Sequence, residues 1–127
     1  SISQICRLAA HISDDFSIYS GNDDQTVPVL SLGGRGCIST VSNIIPAEYS
    51  RMIHDYLAGD VQKAGKTQVA LKPLIDVIFS EVNPIPVKEA MHLLGFCDRE
   101  IRLPLCEMED KNLERLANDM RNAGLSF

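Results

Sequence analysis

The chain has 127 residues, 45% hydrophobic and 23% charged, an ordinary globular balance and long enough for one buried core. Its formal net charge of -5, with 12 Lys and Arg scattered among 17 Asp and Glu, excludes the clustered basic surface that a nucleic-acid partner requires. It has neither an apolar run of about 18 residues nor a basic stretch leading into an apolar one, so no membrane span and no signal peptide is expected, and cytoplasmic is the default location.

Ile2, Ile5, Leu8, Ala9 and Ile12 recur at helical spacing, which predicts an amphipathic helix over the first dozen residues. Phe16 to Tyr19 is a short β-prone run. It ends in the turn-rich Ser20-Gly21-Asn22-Asp23-Asp24, where Asp23 or Asp24 can cap a helix running to about Leu32. Gly33, Gly34 and Gly36 stop that helix, and Cys37 to Val41 has the continuous apolar and β-prone character of a buried parallel strand. A strand–helix–strand unit of this kind implies a parallel pair with a right-handed crossover, its two strands ending on the same side of the sheet.

Beyond Val41 every element is predicted helical. Pro46 suits a first helical position, Met52, Ile53, Tyr56 and Leu57 form the apolar stripe, and Gly59 ends the helix. Asp60 can cap a longer helix carrying Ala64, Leu71, Leu74, Ile75, Ile78 and Phe79, which Pro73 must kink or break, a kink being expected. Pro84 and Pro86 make a rigid joint before a short helix over Val87 to Leu94 that Gly95 closes. Asp110 can cap a last helix with Leu113, Leu116, Ala117 and Met120 on one face.

Two strands cannot close a parallel sheet, so their edges and faces need covering by something else. The loops after both strands, with Gly21, Asn22 and Asp23 on one and Thr40, Ser42 and Asn43 on the other, are the candidate chemical positions, although turn formation and helix capping explain the same residue types. The Gly33-Gly34-Arg35-Gly36 cluster precedes a strand, whereas phosphate cradles follow one and open a helix, so it reads as a helix stop.

Lys63, Lys66, Lys72 and Lys88 lie off the strands and lack the desolvated setting that a nucleophilic amine needs. His11, His54 and His92 fall on three separate helices without ligand-like spacing. Cys6, Cys37, Cys97 and Cys106 form no CxxC pair and read as free thiols, with no metal site. Asp14-Asp15 and Glu107, Glu109 and Asp110 read as loop and helix-end charges.

Several segments, in matching order and spacing over nearly the whole chain, resemble the C-terminal region of the dihydrodipicolinate synthase family: Tyr19-Ser20-Gly21-Asn22-Asp23-Asp24, Leu32-Gly33-Gly34-Arg35-Gly36-Cys37-Ile38-Ser39, Glu81-Val82-Asn83-Pro84-Ile85-Pro86-Val87-Lys88 and Arg102-Leu103-Pro104-Leu105. The resemblance implies an α/β fold, mostly helical, that forms the C-terminal part of a TIM barrel of eight β/α units: about two parallel strands, plus an appended C-terminal helical subdomain. Residues 1–45 would be the last strand–helix units of the barrel, and residues 46–127 the final barrel helix and the appended subdomain.

It further implies a lyase of lysine and diaminopimelate biosynthesis that condenses pyruvate with aspartate semialdehyde through a covalent pyruvate Schiff base. No other cofactor is implied, and the assembly would be a homo-oligomer. The family's Schiff-base lysine lies on the strand just upstream of the segment matched by Ser1, so the 127 residues alone are expected to be inactive. The pyruvate pocket would use the backbone around Gly21 and the side chain of Ile38, while Asn22 stands where the family more usually has aspartate. Two alternatives are a sialic-acid or keto-deoxy-sugar-acid lyase of the same superfamily, and a non-catalytic module that oligomerises through exposed barrel edges.

Overall fold

The computed structural model describes residues 1–127, arranged as two compact units. One comprises Ser1–Ser39 with Ala47–Ala70, the other Thr40–Pro46 with Leu71–Phe127.

The first unit holds the only sheet, a parallel pair of β1 (Tyr19–Ser20) and β2 (Gly36–Cys37), with Tyr19 opposite Gly36 and Ser20 opposite Cys37. Both strands are shorter than the sequence predicts. β1 stops because the chain turns on the Ser20 hydroxyl, which accepts the Asn22 N–H at 3.1 Å and donates to the Asn22 carbonyl at 2.8 Å. Phe16, expected in this strand, instead closes a small antiparallel bridge with Ser13. With its partner ended, β2 keeps one further ladder bond, from the Ile38 N–H to the Ser20 carbonyl at 2.8 Å. Val41, predicted as the end of this strand, opens a 3-10 turn over Val41–Asn43.

Helix α1 (Ile2–Ala9) stops three residues before Ile12 and buries none of its residues; Ile2 is 51% and Leu8 44% exposed. Helix α2 (Thr26–Ser31) follows a 3-10 turn at Asp23–Gln25, so neither Asp23 nor Asp24 caps it directly; Gln25 holds that position. It ends in a Schellman closure, with Gly34 N–H to the Val29 carbonyl at 2.9 Å and Gly33 N–H to the Leu30 carbonyl at 3.0 Å, Gly33 adopting φ 91°. Val29 and Leu30 are buried, and α2 packs on both strands and on α4. Helix α3 (Pro46–Leu57) starts at Pro46 as expected, but its buried residues are Tyr49 and Met52, while Leu57 of the predicted stripe is 57% exposed. Helix α4 (Val61–Ala70) is capped by Asp60, whose carboxylate accepts the Lys63 N–H at 3.2 Å, and it buries Ala64 and Gln68.

The long helix expected around Pro73 is two helices, α4 and α5 (Lys72–Ile78), separated at Leu71. Proline has no N–H to give and its ring collides with the carbonyl four residues earlier, so Pro73 is tolerated only in the first turn of a new helix.

In the second unit α5, α6 (Ile85–Leu93) and α7 (Asp110–Asn122) pack on one another. Leu74, Ile75, Val77, Ile78, Ile85, Val87, Ala90, Leu116 and Met120 make the core. The proline joint carries a cis Asn83–Pro84 peptide, and α6 begins two residues earlier than predicted, with Pro86 in its first turn and Gly95 at φ 78° beyond its end. Helix α7 begins at Asp110, with Glu109 as its N-terminal cap residue rather than Asp110. Its free end is held by Glu81, whose Oε1 accepts the Glu109 N–H at 3.1 Å and the Asn112 Nδ2 at 2.7 Å. The one deeply buried carboxylate of this unit, Glu89, is met by Arg99 Nε at 3.0 Å; that carboxylate, by hydrogen bond and charge, raises the Arg99 guanidinium above its ordinary range.

Candidate active site

Parallel strands aim their carboxyl ends to one side, and here those ends carry Gly21 and Ile38. The bond from the Ile38 N–H to the carbonyl of Ser20, the residue before Gly21, brings the two positions side by side. Both stand open: a β-carbon placed on Gly21 would meet nothing within 4 Å, and Ile38 is 75% exposed.

Beneath this opening lies a buried polar cluster. Asp23 is 1% exposed, and its main-chain carbonyl accepts the Gln68 Nε2 at 3.0 Å. The same carbonyl lies 3.1 Å from the Tyr49 hydroxyl and 3.2 Å from that of Thr26, and these two hydroxyls stand 2.6 Å apart. Gln68 Oε1 accepts the Val27 N–H at 3.2 Å, which fastens α4 to the start of α2. The Asp23 carboxylate accepts the Ser39 hydroxyl. Sequence reasoning names Asp23 as a helix-cap and strand-end candidate, with turn formation as the competing explanation, and does not single out Tyr49, Thr26 or Gln68. The one available signal is that Tyr49 precedes Met52 by three positions, on the same helical face.

Burial, and then a hydrogen bond to the Cys37 side chain, push the Tyr49 phenol well above its ordinary 10.0; the Asp23 charge adds to the rise and the Thr26 hydroxyl opposes it. The folded chain therefore holds this proton more tightly than the unfolded chain. Its stabilising contribution is complete below pH 10.0 and is lost as pH climbs above that value, because only the unfolded chain releases the proton there. Stability is expected to fall with a slope of up to about 1.4 kcal/mol per pH unit from this group. Tyr49→Phe should flatten that alkaline limb in urea titrations followed by circular dichroism; an unchanged slope would contradict the assignment.

The other candidates separate from this cluster. Lys63 pairs with Asp55 at 3.0 Å and Lys72 with Asp76, both at the surface, Lys66 is exposed, and Lys88 Nζ donates to the Glu100 carbonyl. None of the four lies on a strand or in the core. Asn43 is spent locally, its Nδ2 donating to the Thr40 carbonyl at 2.8 Å. His92 Nδ1 lies 3.1 Å from the Cys97 carbonyl, the four cysteines are free thiols, and no group of three His, Cys, Asp or Glu is placed to hold a metal ion. No helix is long and apolar enough to cross a membrane. Within the second unit the two motifs singled out from sequence face one cleft, lined by Pro84 and Lys88 from the first and by Arg102 and Leu105 from the second.

Comparison with known proteins places this geometry in a family. Residues 1–123 match the model of the dihydrodipicolinate synthetase family. The chain is 51% identical over 124 residues to the 4-hydroxy-tetrahydrodipicolinate synthase of Thermoanaerobacter sp. (strain X514), covering 98% of this chain and 42% of that protein. It is 47% identical over 127 residues to the enzyme of the same description from Caldicellulosiruptor saccharolyticus, covering 43% of it.

Among solved structures, dihydrodipicolinate synthase from Thermotoga maritima superposes with a TM-score of 0.94 at 39% identity, over 98% of this chain and 43% of that one. A monomeric dihydrodipicolinate synthase variant superposes with a TM-score of 0.95 at 39% identity, over 99% of this chain and 43% of that one. The chain thus spans about 42% of the length of such relatives and corresponds to their C-terminal portion. Its two parallel strands and helices are the C-terminal part of a TIM barrel with an appended helical subdomain. The chain belongs to the dihydrodipicolinate synthetase family.

Proposed function

We propose that these residues are the C-terminal part of a 4-hydroxy-tetrahydrodipicolinate synthase, a lyase that joins pyruvate to aspartate semialdehyde through a Schiff base. Residues 1–45 complete the barrel, and residues 46–127 supply its last helix and the appended subdomain. Gly21 and Ile38 form two walls of the pyruvate pocket. The lysine that attacks the keto carbon comes from the barrel strand preceding this segment, so the 127 residues alone do not turn over. Without the amine no covalent intermediate forms, and pocket walls cannot replace it. The assembly is a homo-oligomer working in the cytoplasm, within lysine and diaminopimelate biosynthesis.

The observation that carries this reading is the pairing of an open glycine and a 75% exposed isoleucine at the ends of adjacent parallel strands. Active sites of such barrels lie on that face, among the loops after the strands. The test is a chimera in which this segment replaces the matched portion of the Thermotoga maritima enzyme. With pyruvate and aspartate semialdehyde it is expected to form the condensation product, whereas the segment alone forms none. A stably folded chimera that binds neither substrate would overturn the proposal.

A further inference from the structure

We infer that Asp23 is a positioning residue, whose carboxylate sets the Ile38–Ser39 backbone against the Gly21 turn and thereby fixes the spacing of the two pocket walls. The inference rests on the reading of Gly21 and Ile38 given above and assigns a role to a residue that the reading does not use.

Two successive residues beyond β2 are tied to the two sides of Gly21. The Ile38 N–H reaches back to the carbonyl of Ser20, one residue before it, and the Ser39 hydroxyl reaches the carboxylate of Asp23, two residues after it. The glycine loop is thus bracketed by one main-chain tie and one side-chain tie. The side-chain tie carries on from a short ladder: β1 ends at Ser20, and the Ile38 N–H bond to its carbonyl extends the pairing one residue past β2.

The base of the bracket is fixed. Through its carbonyl, Asp23 is held by Thr26 of α2, Tyr49 of α3 and Gln68 of α4. A buried carboxylate is costly unless its oxygens are satisfied, so the 1% exposed Asp23 is expected to hold Ser39 firmly rather than share it with solvent. Gly21 has no side chain of its own with which to hold position, and Ile38 is too exposed to be held by packing within this segment.

The test uses the Thermotoga maritima chimera and reads steady-state constants beside thermal stability. Ser39→Ala and Asp23→Ala should each raise KM for pyruvate about tenfold, the loss that one charge-assisted hydrogen bond can supply. In both, kcat and KM for the aldehyde should remain within about twofold, since only ground-state placement of pyruvate changes. Asp23→Asn keeps an acceptor oxygen and should restore most of the affinity, and the Asp23→Ala/Ser39→Ala double variant should be no worse than either single one. Should Asp23→Ala unfold, Ser39→Ala carries the test alone.

Unchanged pyruvate KM in Ser39→Ala, or a fall of all constants in step with melting temperature, would overturn the positioning role while leaving the synthase reading intact. A folded, unsubstituted chimera without activity would remove both.

Discussion

Leu116→Ala is expected to cost about 2–5 kcal/mol, the range for truncating a fully enclosed leucine. Leu116 is 0% exposed and stands four residues before Met120, also 0% exposed, on the face of α7 that packs on α5 and α6. The outer face of α7 is strongly polar, with Lys111, Glu114, Arg115, Asn118 and Arg121 at its surface, and Leu116 and Met120 are its two fully buried side chains. The buried residues of the facing α5, Leu74, Ile75 and Ile78, are set by their own helix, so the cavity left behind adds to the lost transfer energy. The measurement is urea unfolding followed by far-UV circular dichroism. Leu116→Met should cost less than about 1.5 kcal/mol, because volume is kept. Equal losses in the two variants would mean that packing at α7 is not what is lost.

Gly34→Ala should cost about 1–3 kcal/mol, as overpacking of a closed site does. An added β-carbon would lie 2.5 Å from Val29 Cγ1 and 2.8 Å from the Val29 carbonyl oxygen, closer than atoms can approach. Neither neighbour can yield easily, since Val29 is 2% exposed and its carbonyl is the acceptor of the Gly34 N–H that closes α2. Relief requires opening the closure of α2 at Gly34, two residues before β2 begins. Gly65→Ala, at a half-buried position in the interior of α4 with nothing within 4 Å of the new atom, should instead stabilise by up to about 1 kcal/mol. Opposite signs for the two substitutions in the same unfolding assay are the expected result; a neutral Gly34→Ala would refute the close approach.

The helices were largely legible because their signals are local. Periodicity placed α3 and α7, the proline joint preceded α6, Pro46 and Asp60 marked starts, and Gly33, Gly59 and Gly95 marked stops, each with φ between 78° and 96°. Strand length was not legible. Cys37 to Val41 has strand composition throughout, but a strand lasts only as long as its partner, and the Ser20 hydroxyl ends the partner after two residues. Burial on α3 was misassigned for a related reason: residues 53, 56 and 57 fit the periodic stripe, yet Tyr49 is drawn inward by hydroxyl and carbonyl partners on Thr26 and Asp23.

Gly21 and Ile38 are proposed as pocket walls on the family resemblance; composition alone offers Gly21 only as one of several loop residues and Ile38 not at all, since glycine in a turn and isoleucine in a strand are commonplace. Asp23 was visible as a turn former, a helix-cap candidate and one of several strand-end candidates, without anything to set it apart from Asn22 or Asp24. Its burial, and the Ser39 hydroxyl that it holds, depend on residues far apart in sequence that no local pattern connects.

The central claim is that this segment furnishes the walls of a pyruvate pocket whose lysine lies upstream. The most direct measurement is intact mass after treatment with pyruvate and borohydride, which reduces any Schiff base to a stable adduct. The Thermotoga maritima chimera carrying this segment should gain one pyruvate on a lysine of the Thermotoga portion, and the 127 residues alone should gain none. An adduct on a lysine within these 127 residues, or a folded chimera that gains no adduct, would contradict the account.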